Sequence, residues 1–104
     1  MKIVRENIPR MTIEEFAERN ALTMQVVERP LPEGNPDRFY AHFKSCEAME
    51  GGMLRGTHGN GATEEDAISD YARRISFGTI VIGAMKKGRR EIQVPRLITK
   101  AAAE

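Results

Sequence analysis

Residues 63–78 constrain the fold of this chain more than any other stretch. Thr63 stands before three acids, Glu64, Glu65 and Asp66, after which Ile68, Tyr71, Ala72 and Ile75 recur at i, i+3, i+4 and i+7. That spacing puts four apolar side chains on one face of a helix, a face that has to be buried. The Thr63 hydroxyl is placed to accept a bond from an orphan backbone N–H, and the acids oppose the positive end of the helix dipole. Gly78 is the expected C-terminal stop. A helix with one apolar face needs a sheet or further helices against it, and the rest of the chain has to supply them.

The remaining segments predict that partner. Met11-Thr12-Ile13-Glu14-Glu15-Phe16 carries a capping box (Thr12, Glu15) and a hydrophobic staple (Met11, Phe16). It predicts a short helix near 13–20, with Ile13, Phe16 and Ala17 on one face and Asn20 as its stop. Leu22 to Glu28 is rich in β-formers and predicts a strand. Pro30 to Asp37, with three prolines and a glycine, predicts a loop. From Arg38 to Ala48 the chain alternates: Phe39, Ala41 and Phe43 point one way, and Tyr40, His42, Lys44 and Cys46 the other. Glu50-Gly51-Gly52 then reads as a hairpin turn, Met53 to His58 as the returning strand, and Gly59-Asn60-Gly61 as a tight, flexible link. Thr79 to Met85 predicts a buried strand and Glu91 to Val94 a final one before Pro95.

The expected fold is α+β, in the order α-β-β-β-α-β-β, with one antiparallel sheet of four to five strands packed on two helices. The helix at 63–77 is expected to pack Ile68, Tyr71, Ala72 and Ile75 against Phe39, Phe43 and Ile80. At 104 residues this is one domain, 1–104. Residues 1–11 read as a lead-in in which Ile3, Val4 and Ile8 are the packing candidates. Residues 96–104 read as a loosely ordered tail or frayed helix.

Sixteen basic and 15 acidic side chains give a net charge of +1, but the distribution is uneven. Residues 1–52 sum to −2 and residues 53–104 to +3. The excess lies in Lys86, Lys87, Arg89, Arg90, Arg96 and Lys100. The single cysteine, Cys46, excludes an intramolecular disulfide and fits a reducing compartment. No apolar stretch approaches the ~20 residues of a membrane helix, and the N-terminal charges interrupt any signal-peptide core. The expected location is the cytoplasm of a bacterial host, with no membrane partner.

The order α-β-β-β-α over 12–77 resembles the double-stranded-RNA-binding domain. That family enters its second helix through a Gly-x-Gly-x-Ser-Lys-Lys-x-Ala-Lys type of sequence; Gly59, Gly61, Thr63 and Ala67 match its glycine, hydroxyl and alanine positions. The family's phosphate-gripping lysines fall on Glu64 and Glu65, and its later lysine on Ile68. The resemblance implies the fold, whereas two carboxylates where phosphates should dock repel duplex RNA. Gly51-Gly52 and Thr63-Glu64-Glu65-Asp66-Ala67 resemble, more weakly, HicB-type antitoxins. Residues 60–76 followed by Arg90-Glu91-Ile92-Gln93-Val94-Pro95 look like small phage and prophage proteins, a resemblance that implies no activity.

Constellations that would carry chemistry are sparse. His42, Cys46 and His58 are the soft-metal ligands, but four residues along one strand separate His42 from Cys46 by ~13 Å. The same distance argues against a Cys–His nucleophile, and no Gly-x-Ser-x-Gly elbow exists. Gly56, Gly59 and Gly61 have neither dinucleotide nor P-loop spacing. Glu64, Glu65, Asp66 and Asp70 read as dipole partners and surface ion pairs. No cofactor, metal or catalytic residue is expected. The interaction patch predicted from the sequence is Lys86, Lys87, Arg89, Arg90 and Arg96, on and beyond a hairpin turn. Two readings follow. The first is a non-enzymatic, phage-type module acting by protein contact. The alternative is a nucleic-acid-associated module using the 86–90 hairpin, or an antitoxin-like regulator. A homodimer, which would cover a sheet edge, weighs equally with a monomer.

Overall fold

The structure is a computed structural model that describes residues 1–3 and 10–103. Both helix starts form as their sequences dictate. Thr12 Oγ1 accepts from the Glu15 backbone N–H at 3.1 Å and opens α1 (Ile13–Arg19); Thr63 Oγ1 accepts from the Asp66 N–H at 3.1 Å and opens α2 (Glu64–Ile75). The other half of the first capping box does not form, because Glu15 turns outward to Arg19 at 2.7 Å. Asn20 ends α1, as expected, its side-chain amide donating to the Phe16 carbonyl at 2.9 Å.

The fold class is α+β, but the strands do not make one sheet. The run 38–48 divides into β3 (Phe39–Phe43) and β4 (Cys46–Glu50), because Ser45 adopts φ +61°, a left-handed conformation that no strand contains. The chain leaves one sheet there and enters another. With β1 (Arg10–Thr12), β2 (Met24–Glu28), β5 (Met53–Arg55), β6 (Gly59–Gly61), β7 (Thr79–Ile82), β8 (Arg90–Gln93), β9 (Arg96–Ile98) and a terminal turn of helix α3 (Lys100–Ala103), three sheets result. One is the antiparallel β2-β3-β6, one the antiparallel β5-β4-β7-β8, and one the parallel pair β1-β9. The expected single sheet and the order α-β-β-β-α-β-β are corrected accordingly.

The Gly51-Gly52 hairpin forms as expected. Both residues have positive φ and Glu50 pairs with Met53. Gly59-Asn60-Gly61 is not a flexible link but strand β6, paired with β3. Its glycines are there for want of a side chain. A Cβ on Gly59 would lie 2.2 Å from the Tyr71 backbone nitrogen, and one on Gly61 2.5 Å from that of Ala67. Backbone therefore packs on backbone where α2 crosses β6. At the far end of α2 it is Phe77, at φ +65°, that turns the chain out of the helix, and not Gly78.

The start of the tail is also corrected, while its end forms the expected exposed turn of helix, α3 (Lys100–Ala103). Leu97 and Thr99 are buried, β9 pairs in parallel with β1, and the Leu97 N–H donates to Ser76 Oγ at 2.9 Å. Ladder hydrogen bonds and an apolar anchor thus hold residues expected to be loose. Of the lead-in, Ile3 is exposed, while Val4 and Ile8 lie outside the described residues.

The core gathers Ile13 and Phe16 of α1, Phe43, Tyr71, Ala72 and Ile75, Ile80, Val94 and Leu97. Phe43 is its hub, 6.1 Å from the Phe16 ring and edge-on to Tyr71 at 5.4 Å. The expected stripe on α2 forms, with Ala67 buried beside it and Ile68 at its margin. Phe39 does not join the core: it is half-buried, and the Arg38 guanidinium lies 6.0 Å from its ring. Among the described residues, no helix is long and apolar enough to cross a membrane.

Candidate binding cleft

Because Ala41 and Phe43 face α2, the alternation of β3 turns Tyr40 and His42 to the opposite face of the three-stranded sheet. Register places Val27 and Asn60 on either side of Tyr40, and Gln25 beside His42. His58, just before β6, completes a row of rings. Tyr40 and His42 are nearly parallel (8°) with centroids 6.2 Å apart, and Tyr40 meets His58 edge-on at 5.4 Å.

Arg29 holds this row together. Its guanidinium lies 4.6 Å over the Tyr40 ring, donates to Asn60 Oδ1 at 2.8 Å and to the Asp37 carbonyl at 2.5 Å, and reaches His58 Nε2 at 3.5 Å. Since a guanidinium only donates, His58 Nε2 is the acceptor. His42 Nδ1 donates to the Phe43 carbonyl at 3.1 Å, which leaves Nε2 available.

The break at Ser45 brings the end of the four-stranded sheet beside this row, and the Gly83 N–H donates to the Ser45 carbonyl at 3.1 Å. An open cleft of about 390 Å³ lies between them. Its walls are Tyr40 and His42 on one side, Thr57 and His58 on a second, and Met85 and Lys86 of the β7–β8 turn on a third; Cys46 and Glu47 also line it. His42 and Cys46 therefore share a cleft, against the expectation from a single continuous strand. They do so without metal-ligand geometry: among the described residues, no three His, Cys, Asp or Glu side chains converge to hold an ion. Burial raises the Cys46 thiol above its ordinary pKa, with the Arg90 charge acting in the other direction.

Of the basic residues singled out from the sequence, Lys86, Lys87, Arg89 and Arg90 are all exposed on and beside the β7–β8 turn, and Arg96 lies apart from them. Lys86 lines the cleft and Lys87 is exposed beside it on the turn. Arg89 pairs with Glu91 at 3.0 Å, and Arg90 donates to the Asn20 carbonyl at 3.1 Å. Arg96 sits in β9 opposite Arg10, beyond the length of β8 (about 10 Å of strand).

A second open cleft, of about 690 Å³, adjoins the first, and the segment Gly56-Thr57-His58 lines both. Arg55, Arg73 and Arg74 face into it, with Glu50. Asp70 organises this side. Burial would raise its pKa, but the Asn60 backbone N–H (2.8 Å) and the Arg74 and Arg73 guanidiniums (2.8 and 2.6 Å) outweigh that and hold it below the ordinary value.

Sequence reasoning missed Arg29 and Tyr40. Alternation did place Tyr40 and His42 on one face, but nothing local ties Arg29 or His58 to that face, since the contacts span up to 31 residues. Comparison with known protein families, curated proteins and solved structures finds no match to this chain.

Proposed function

We propose that this chain is a non-enzymatic binding module whose ring-lined cleft takes a single-stranded nucleic acid. One observation carries the reading: Tyr40, His42 and His58 stand in a row on a sheet face, in a cleft shared with Lys86. Stacking rings beside cations suit unpaired bases and their phosphates, whatever the sequence. A reaction is disfavoured because the cleft's thiol, Cys46, is buried, which raises its pKa, and because no three His, Cys, Asp or Glu side chains converge among the described residues. The succession α1-β2-β3-β6-α2, with the β4–β5 hairpin inserted, supports a core of the double-stranded-RNA-binding type. The acids at the start of α2 still oppose a duplex on the helix side, so the strand is assigned to the sheet side.

Titration of a labelled oligothymidylate by fluorescence anisotropy at low salt tests this. Binding weakened about tenfold or more by Tyr40→Ala with His42→Ala, and weaker binding of a duplex of equal length, are expected. No binding of any single strand would overturn it.

A second reading, contact with a protein partner as in phage-type modules, draws support from Met85, which is 95% exposed on the lip of the same cleft. Retention of a specific protein by the wild type, lost in Met85→Ser, with no nucleic-acid binding, would favour it.

A further inference from the structure

We propose that the second cleft is a phosphodiester-binding extension of the first, so that a strand whose bases stack on the ring row runs past His58 and lays its backbone between Arg55 on one wall and Arg73 and Arg74 on the other. This rests on the single-strand reading and adds a site and a path to it.

Gly56, Thr57 and His58 line both clefts, so the two adjoin along that segment and a strand passing over it reaches from one into the other. Their chemistry differs in the way a nucleic acid differs between base and backbone. The first cleft offers flat rings. The second offers three guanidiniums and, apart from His58, no ring. Planar guanidiniums match the paired oxygens of a phosphodiester better than any other side chain.

The arginines are also held in place. Arg73 and Arg74 sit in adjacent positions on α2, and both are pinned to Asp70, whose carboxylate is itself fixed by the Asn60 N–H. Each guanidinium spends only part of its five donors there. Arg73 remains 72% exposed, with its outer donors turned to solvent. Restraint by Asp70 removes much of the side-chain entropy that a free arginine would lose on gripping a phosphate. Arg55 is tethered more loosely, 3.4 Å from Glu50, and an incoming phosphate can compete for it. Across the two clefts, Lys86 and the three arginines outnumber Glu47, Glu50 and the Asp70 carboxylate that pins two of them, four cations to three anions. The acidic start of α2 lies outside both linings, so the carboxylates that exclude a duplex there do not oppose this path.

The test compares oligothymidylates of about three and about eight nucleotides over a salt series, using the full chain. Each phosphate neutralised by an arginine contributes a slope of about −0.7 in log affinity against log salt for single strands. The Arg73→Gln, Arg74→Gln pair is expected to cut the slope for the longer strand by about 1.4. It should also weaken that strand roughly tenfold while leaving the trimer's affinity within about twofold. Arg55→Gln, which touches neither Asp70 nor the packing of α2, is expected to cut the slope by about 0.7 and serves if the double variant fails to fold. An unchanged slope in Arg55→Gln and in the folded double variant, with Tyr40→Ala still impaired, would overturn the extension and leave the ring cleft standing. If no single strand binds the wild type, the underlying reading falls and the extension falls with it.

Discussion

The Arg29 guanidinium lies 4.6 Å over the Tyr40 ring while bonding Asn60 at 2.8 Å. One side chain on the segment after β2 thus spans β3 to β6 and sets the ring row at its working angle. A cation over a ring contributes about 0.5–1 kcal/mol, and a charge-assisted hydrogen bond about 1.5–3. Arg29→Ala is therefore expected to lower stability by about 1–3 kcal/mol in urea unfolding. Arg29→Lys should recover only part of it, since an ammonium cannot lie flat on the ring and keep the same fork of bonds. Full recovery by lysine would contradict this role.

Gly59→Ala tests the backbone contact between α2 and β6. With a Cβ 2.2 Å from the Tyr71 nitrogen, the helix must move away from the sheet. A loss of about 3 kcal/mol or more, or failure to fold, is expected. Gly56→Ala, where nothing lies within 4 Å, is the control and should change stability little.

Asp70 links folding to pH. Its folded pKa lies below the ordinary value, so its contribution is fully present above the unfolded pKa (about 3.9) and is lost as pH falls through the folded pKa. Asp70→Asn is expected to cost about 1–3 kcal/mol at pH 7. The gap to wild type should close on acidification below about pH 4. A gap that stays constant to pH 2 would show that Asp70 acts without its charge.

Phe77 pays a conformational cost at φ +65° and is 65% exposed, so it recovers little through packing. Left-handed backbone costs an L-residue about 1–2 kcal/mol. Phe77→Gly is expected to leave stability unchanged or raise it by up to about 1 kcal/mol in thermal or urea unfolding, after the entropy lost to glycine in the unfolded chain. A clear destabilisation would mean that the exposed ring makes a contact worth more than the strain.

The sequence signals that held were local ones. Thr12, Thr63 and Gly51-Gly52 act within a few residues of themselves, and each does what its chemistry dictates. The stripe Ile68, Tyr71, Ala72, Ile75 was legible for the same reason. What was not legible depended on a single backbone state or on distant partners. The period-2 run 38–48 gives no sign that Ser45 breaks it, because an alternating polar residue and a turn residue look alike there. Gly59 and Gly61 carry turn chemistry in isolation, and only the approach of α2 explains them as strand. The parallel pairing of Arg10–Thr12 with Arg96–Ile98 joins the ends of the described chain, which no periodicity can reveal. The site followed the same rule. Lys86 was singled out by composition, but the rings that give it meaning come from β3 and the segment before β6.

The central claim is that the ring row on the sheet face, and not the helix side, receives a single strand. A 1H–15N correlation spectrum of the labelled protein, titrated with a short oligothymidylate at low salt, measures that directly. The account predicts shifts concentrated at residues 40–42, 56–60 and 83–87, with the start of α2 at 63–66 unmoved. Shifts centred on 63–66, or none at millimolar oligonucleotide, would contradict it.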